Sequence, residues 1–237
     1  MQQHSNTMIL CSCEFRSFPD GEEKLGTILS TLESSASPFH LFGDLCGICA
    51  RSPEKIREIF NSHGEVSVIA CYPRAVKSLL ASTGISLDKV NLSFHNWRTQ
   101  SAEEILAAIL PGVKPVKSVR KEKKAASGDW IPWFPVIDRE RCTNCGQCLS
   151  FCLFGVYAKD EEDGKVKVAN PAGCKTDCPA CARICPQTAI IFPKYTSPPI
   201  NGDEVDEKNM NKDIKVENFG KMSPDEVYKI LSSRMKK

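Results

Sequence analysis

The stretch CTNCGQCLSFC, residues 142–152, places four cysteines within eleven residues. Thiols this close together are typical of a metal centre, a disulfide framework or a reactive thiol pair. A second stretch, CKTDCPACARICP at residues 174–186, repeats the pattern. The first copy reads C-x2-C-x2-C-x3-C and the second C-x3-C-x2-C-x3-C-P, which indicates an internal duplication.

The similarity between the two copies continues beyond the cysteines. The copies lead into apolar pairs, Val156–Tyr157 and Ala189–Ile190. Between them, Asp163–Gly164 stands among alternating residues in YAKDEEDGKVKV, which predicts a β-hairpin. The sequence therefore predicts two similar halves joined through a turn.

Bulk composition helps to separate the three kinds of site. The chain has 237 residues, 13 cysteines and a net charge of +2. An odd cysteine count, tight regular spacing and no visible export signal favour metal ligands in a reducing compartment over disulfides. The small net charge does not indicate nucleic-acid binding, and no apolar run is long enough to cross a membrane. We therefore expect a cytoplasmic protein with no nucleic-acid partner and no membrane span.

The repeated cysteine pattern resembles the two-cluster bacterial-type [4Fe-4S] ferredoxins over residues 135–195. In that family, the fourth cysteine of each run ligates the other cluster. The resemblance therefore implies two ligand sets: Cys142, Cys145, Cys148 and Cys185 in the first, and Cys174, Cys178, Cys181 and Cys152 in the second. Two features depart from the family. Leu153 stands where proline is common, and one extra residue lies between Cys174 and Cys178.

The rest of the chain predicts three further regions. Residues 8–110 alternate between short apolar strand patterns and single helices, which predicts an α/β domain with a parallel sheet built from βαβ units. Residues 111–129 are rich in Lys and Arg and predict a basic linker. An α+β ferredoxin-like domain is expected over 130–195, and a polar arm with a terminal helix over 196–237.

The α/β region holds five more cysteines, at or just after the ends of predicted strands: Cys11, Cys13, Cys46, Cys49 and Cys71. The carboxyl ends of parallel strands share one edge of a sheet, so these residues can meet. Three interpretations stay open. They are a third iron–sulfur cluster, a redox-active dithiol of Cys46 and Cys49 ahead of a helix that begins at Pro53, and ordinary packing of small apolar side chains.

A second resemblance bears on this region. The segments ILCSC, CARSPEKI, IACYPR and HNWR follow the order seen in the N-terminal domain of the flavin-containing subunit of heterodisulfide reductase, over residues 8–105. The resemblance implies a cluster ligated by Cys11, Cys13, Cys49 and Cys71, with Cys46 as an alternative ligand. Arg74 and Arg98 could then offset part of the negative charge. The chain has no G-x-G-x-x-G flavin-binding motif, so flavin chemistry is not expected.

Taken together, these patterns predict an iron–sulfur protein that passes single electrons through two or three [4Fe-4S] clusters. It has no predicted catalytic residue, no oligomeric state is predicted, and it is not expected to be an enzyme on its own. Its expected partners are a flavoprotein or another iron–sulfur oxidoreductase. One alternative is the electron-input subunit of a heterodisulfide-reductase-like or hydrogenase-like complex. The other is a dithiol-dependent reductase that uses Cys46 and Cys49.

Overall fold

A computed structural model describes residues 6–15, 18–120 and 130–206. The chain divides into two compact units, one that ends at Pro132 and one that begins at Trp133. The predicted terminal helix, much of the polar arm and residues 121–129 of the predicted linker lie outside the described residues.

The N-terminal unit is built on a parallel sheet with the strand order β2-β1-β3-β4. Its strands are β1 (Asn6–Cys11), β2 (Phe39–Phe42), β3 (Glu65–Ala70) and β4 (Asn91–Asn96). The inner strands β1 and β3 are buried along almost their whole length. Strands covered on both faces need continuous apolar runs, and MILC and VSVIA supply them. The predicted parallel sheet with accompanying helices is confirmed.

Helices cover this sheet and connect its strands. They are α1 (Gly21–Ser34), α2 (Leu45–Arg51), α3 (Pro53–Ser62), α4 (Pro73–Ser82) and α5 (Ala102–Ile109). At the start of α5, Ser101 and Glu104 form the reciprocal hydrogen bonds of a capping box. Helix α2 contains Cys46 and Cys49, and it lies in a segment that the sequence pattern indicated as strand and loop.

The sequence predicted no helix at α2, and this prediction was wrong because an N-cap residue starts a helix there. The Asp44 side chain accepts a 2.7 Å hydrogen bond from the backbone N–H of Gly47. This bond satisfies one of the free donors at the helix start, so the helix begins at Leu45. Cys46 and Cys49 therefore lie within α2, one turn apart, and the predicted helix that begins at Pro53 follows as the separate helix α3.

Residues 116–120, here called the strap, lie along α1. The backbone N–H of Val116 donates to Thr31 Oγ1 at 2.9 Å. The Arg120 guanidinium forms an ion pair with Glu14 at 2.7 Å. This part of the predicted linker is thus attached to α1 and to the loop that follows β1.

The C-terminal unit consists of short elements arranged in two similar halves. They are β5 (Val136–Ile137), α6 (Gln147–Phe151), β6 (Tyr157–Lys159), β7 (Val166–Val168), α7 (Ala180–Ile184) and β8 (Ile190–Ile191). Strand β5 pairs antiparallel with β8, and β6 with β7. Gly164, with a φ of +67°, lies between β6 and β7 at the predicted hairpin turn. This arrangement agrees with the expected ferredoxin-like α+β fold.

The core of the C-terminal unit is aromatic. Trp133 is buried and stacks on Phe192 with their ring centroids 5.4 Å apart. Tyr195 meets the same indole edge-on at 6.4 Å. Large aromatic side chains supply much buried area in a unit whose regular elements are short. In neither unit do the described residues include a helix long and apolar enough to cross a membrane.

Candidate metal centres

The four cysteines of the first predicted set surround one pocket. Cys142 and Cys145 lie on the loop before α6, and Cys148 lies in the first turn of α6. Cys185 directly follows α7, in the other sequence copy. All four line the same pocket. The pKa of Cys148 is raised to about 12, by burial first and then by the neighbouring charges of Cys185, Cys142 and Cys145.

The second predicted set has the mirrored arrangement. Cys174 and Cys178 lie on the loop before α7, Cys181 lies in its first turn, and Cys152 directly follows α6. Burial raises the pKa of Cys174 to about 12, with contributions from Cys178 and Cys152. The pKa of Cys181 is also raised to about 12, by burial first and then by Cys174 and Cys152 against the opposing Tyr157 hydrogen bond. Cys185 thus lies with the first three cysteines of the other copy, and Cys152 lies near Cys174 and Cys181.

Hydrogen-bond donors point at sulfur in both sets. The Tyr157 hydroxyl donates to Cys181 Sγ at 3.1 Å. Burial and the adjacent Cys181 raise the pKa of Tyr157, so the hydroxyl keeps its proton and can donate. The backbone N–H of Ala189 donates to Cys185 Sγ at 3.3 Å. Donors of this kind orient metal-bound thiolates and stabilise their charge.

The donor set of this unit fits four-iron clusters. All eight of its cysteines are free thiols. A zinc ion needs its four ligand atoms within about 2.3 Å of one point, whereas thiols that ligate a cubane stand around a larger space. The first set surrounds such a space. Nowhere among the described residues do three Cys, His, Asp or Glu side chains converge on the position of a single ion.

The two departures from the ferredoxin pattern lie on the surface. The Leu153 side chain is 93% exposed, beside Cys152. The extra residue of the second copy lies in the exposed segment 175–177. Asn144 and Asp177, which precede the second cysteine of each copy, have nearly the same φ, +58° and +59°. The backbone therefore reaches that cysteine in a similar conformation in both copies.

A third group of cysteines lies at the carboxyl edge of the parallel sheet. Cys11 ends β1, Cys13 follows it, and Cys71 comes directly after β3. The pKa of Cys11 is raised well above its usual value by burial, then by Cys13, Asp44 and Cys71. The backbone N–H of Leu45, the first residue of α2, donates to Cys11 Sγ at 3.3 Å. The expected convergence is present for Cys11, Cys13 and Cys71.

The two cysteines of α2 are buried beside the same edge. Cys46 is 8% exposed and Cys49 is 7% exposed. Burial raises the pKa of Cys49 to about 12, and the Asp44 carboxylate adds to the shift. A redox-active dithiol needs a lowered thiol pKa, whereas the pKa of Cys49 is raised. Reactive cysteines need access and a populated thiolate, so Cys49 does not suit the dithiol reductase interpretation.

A buried arginine faces the cysteines of the sheet edge. Arg98 follows β4, and its Nη2 donates to Cys13 Sγ at 3.7 Å. Burial lowers the pKa of Arg98, but the charges of Cys71 and Cys13 outweigh this effect and raise it. The guanidinium also lies 3.9 Å from the centre of the Phe18 ring. The site thus combines thiols with a fixed positive charge.

Sequence reasoning missed three side chains that shape these sites. Asp44 could have been found as an N-cap residue before a short helical run. Trp97 donates its indole N–H to the carbonyl of Cys11 at 3.0 Å, a contact that only the sheet order brings about. Tyr157 was noted only as one of an apolar pair, and no local signal showed that its hydroxyl would reach a cysteine of the other copy.

Comparison with known proteins agrees with the geometry of the C-terminal unit. The family described as "4Fe-4S dicluster domain" matches residues 134–216. Ferredoxin-3 of Nostoc sp. is 34% identical over an 88-position alignment that covers 30% of this chain and 84% of that protein. The chain belongs to the 4Fe-4S dicluster ferredoxin family.

Other relatives of the chain come from archaea. An uncharacterized ferredoxin of Methanocaldococcus jannaschii is 49% identical over 69 residues, or 29% of this chain. The match spans 46% of that relative, which is less than half its length. The PorD subunit of pyruvate synthase from Methanothermobacter marburgensis is 35% identical over 78 residues, or 33% of this chain and 84% of the subunit. These similarities support iron–sulfur electron transfer, while the resemblance of the N-terminal unit to heterodisulfide reductase stays a prediction.

Proposed function

We propose that this dicluster ferredoxin carries single electrons between redox proteins, with two [4Fe-4S] clusters in its C-terminal unit. In this proposal, Cys142, Cys145, Cys148 and Cys185 hold one cluster, and Cys174, Cys178, Cys181 and Cys152 hold the other. The main support for this proposal is that the four cysteines of the first set line one pocket, although Cys185 is distant from the others in sequence. Bound clusters would supply one-electron chemistry.

The protein's own side chains and backbone groups would set the reduction potential of each cluster. Thiolate ligands, donors to sulfur and burial are the means by which a protein adjusts the potential of an iron–sulfur site. Ala189 supplies a backbone donor at Cys185, and Tyr157 supplies a hydroxyl at Cys181. Cys145 is exposed, so a partner can approach the first set from this side.

We further propose that the N-terminal unit holds a third cluster through Cys11, Cys13, Cys49 and Cys71, with Cys46 as the alternative ligand. Support comes from the mutual proximity of Cys11, Cys13 and Cys71. Asp44 perturbs both Cys11 and Cys49, which links the cysteine of α2 to the same edge. Arg98 would offset part of the charge of four thiolates and their cluster.

A second candidate function is the electron-input subunit of a larger oxidoreductase. It is favoured by the similarity to PorD, which is named as a subunit of pyruvate synthase. When a tagged form of the protein is purified without oxygen from its native host, a flavoprotein or an iron–sulfur oxidoreductase should then co-purify with it at a fixed stoichiometry. A monodisperse monomer that exchanges electrons with several unrelated partners would instead support a free carrier.

The test of the main proposal is iron and acid-labile sulfide per chain, measured on protein purified without oxygen. Two four-iron clusters predict about eight irons and eight sulfides. About twelve of each would support the third cluster as well. Zinc in place of iron, or iron without sulfide, would contradict the proposal.

A further inference from the structure

The internal duplication makes Tyr157 and Ile190 equivalent residues. Each stands five positions after the last cysteine of its copy, Cys152 or Cys185. Tyr157 begins β6, and Ile190 begins β8. Ile190 lines the pocket of the first set with an aliphatic side chain. The two halves therefore differ in one chemical group at matched positions, a phenol hydroxyl against a hydrocarbon.

The hydroxyl of Tyr157 is held against a thiol of the second set. Tyr157 is only 6% exposed, and its oxygen lies 3.1 Å from Cys181 Sγ. Its backbone is fixed by pairing with Val168 across the β6–β7 hairpin. Cys181 is itself buried. A hydrogen bond to a charged acceptor in such surroundings is stronger than the same bond in water.

We propose that Tyr157 is a positioning residue that raises the reduction potential of the second ligand set more than that of the first. This inference rests on the proposed clusters. Reduction adds negative charge to the cluster and its thiolates, so a donor at Cys181 stabilises the reduced state more than the oxidised state. At the first set, Cys185 receives its donor from the backbone N–H of Ala189, which truncation of a side chain leaves in place. A change at Tyr157 should therefore alter the potential of the second set more than that of the first.

The experiment compares wild type, Y157F and the matched control Y195F as full chains. Y157F removes one oxygen and keeps the ring. Y195F removes the same atom in the same unit, where the Tyr195 hydroxyl accepts a hydrogen bond from Arg183 at 3.1 Å. Iron and sulfide are counted first. Reductive titration followed by electron paramagnetic resonance then gives the midpoint potential of each cluster.

In Y157F we expect one potential to become more negative by about 59 mV, which corresponds to a tenfold change in a one-electron equilibrium. The other potential should shift less, and both potentials of Y195F should match wild type. Unchanged potentials in Y157F, or equal shifts of both, would overturn the inference. So would a Y157F protein that fails to load one cluster while Y195F loads both, because Tyr157 would then be structural. Wild type without clusters would instead contradict the proposed function.

Discussion

The two units of this protein bring cysteines together in different ways. In the C-terminal unit, the thiols lie on short loops and helix ends, and all but Cys181 are at least partly exposed. In the N-terminal unit, four of the five cysteines are buried. They lie at the ends of separate strands of a parallel sheet and in the helix α2 beside it. The first kind of site is determined mainly by the spacing of cysteines along the chain. The second kind depends on the order in which strands pair.

This contrast has a consequence for charge. The C-terminal sites receive neutral donors, such as the Tyr157 hydroxyl and the Ala189 backbone. The N-terminal site has in addition the guanidinium of Arg98. Buried thiolates without access to water need a nearby positive charge more than exposed ones do. The two units should therefore respond to different kinds of substitution.

The largest expected effect tests the crossing of the two cysteine copies. C142A and C185A should remove the same redox step, because both residues line one pocket although they belong to different copies. C152A should remove the other step. Each variant should lose up to about four irons per chain. If C152A and C142A removed the same step instead, each copy would hold its own cluster.

The second prediction concerns the N-terminal cysteines. C71A should lose up to about four irons without changing either C-terminal redox step. C46A is the matched control in the same unit, and it should retain the wild-type iron content if Cys49 is the ligand of α2. Iron loss in C46A with no loss in C49A would assign the alternative ligand. If C71A and C49A both retained all iron, these cysteines would serve only in packing.

The third prediction separates charge from packing at Arg98. R98Q should make the potential of the N-terminal site more negative by roughly 59 mV, a tenfold change in the one-electron equilibrium. The reason is that the guanidinium stabilises the more negative, reduced state. R98K, which keeps the charge, should shift the potential less.

The control for Arg98 is R51Q, because the Arg51 guanidinium donates to the carbonyl of Trp130 rather than to a cysteine. R51Q should leave all potentials unchanged. Equal shifts in R98Q and R51Q would show a general effect of net charge, and the specific role of Arg98 would then be wrong.

The smallest expected effect concerns the strap. A Cβ atom at Gly26 in α1 would lie 2.5 Å from the carbonyl oxygen of Ser118. Alanine normally favours a helix over glycine, but overpacking should outweigh this preference and lower the free energy of unfolding by about 1–2 kcal/mol. Thermal unfolding of G26A should show the loss. E33A, at an exposed position of the same helix, should change little. If G26A were as stable as wild type, the strap would be able to move away from the added methyl group at little cost in free energy.

Much of the C-terminal site could be predicted from residue spacing. The family pattern assigned Cys185 and Cys152 to opposite sets, and the structure places each beside the assigned partners. What spacing could not show was the Tyr157 contact, because it joins a strand of one half to a helix of the other. The hairpin was also predicted correctly, since it depends on residues close in sequence.

In the N-terminal unit, sequence predicted less of the site. Strand-end cysteines indicated one shared edge, but α2 was missed because the cap at Asp44 overrides an apolar pattern that reads as strand. The sequence named both Arg74 and Arg98 as residues that could offset the charge of this site. Only the position of β4 beside β3 brings Arg98 to Cys13.

By itself, the sequence determined the duplicated cysteine motif, the iron–sulfur chemistry that this spacing suits, and the alternation that builds a parallel sheet. These features follow from neighbours along the chain. The tertiary structure decided which thiols are buried, which charge faces them, and which of two equivalent half-sites carries a hydroxyl at its sulfur. Burial and hydrogen bonding depend on distances between residues far apart in sequence, and those distances exist only once strands and helices have packed.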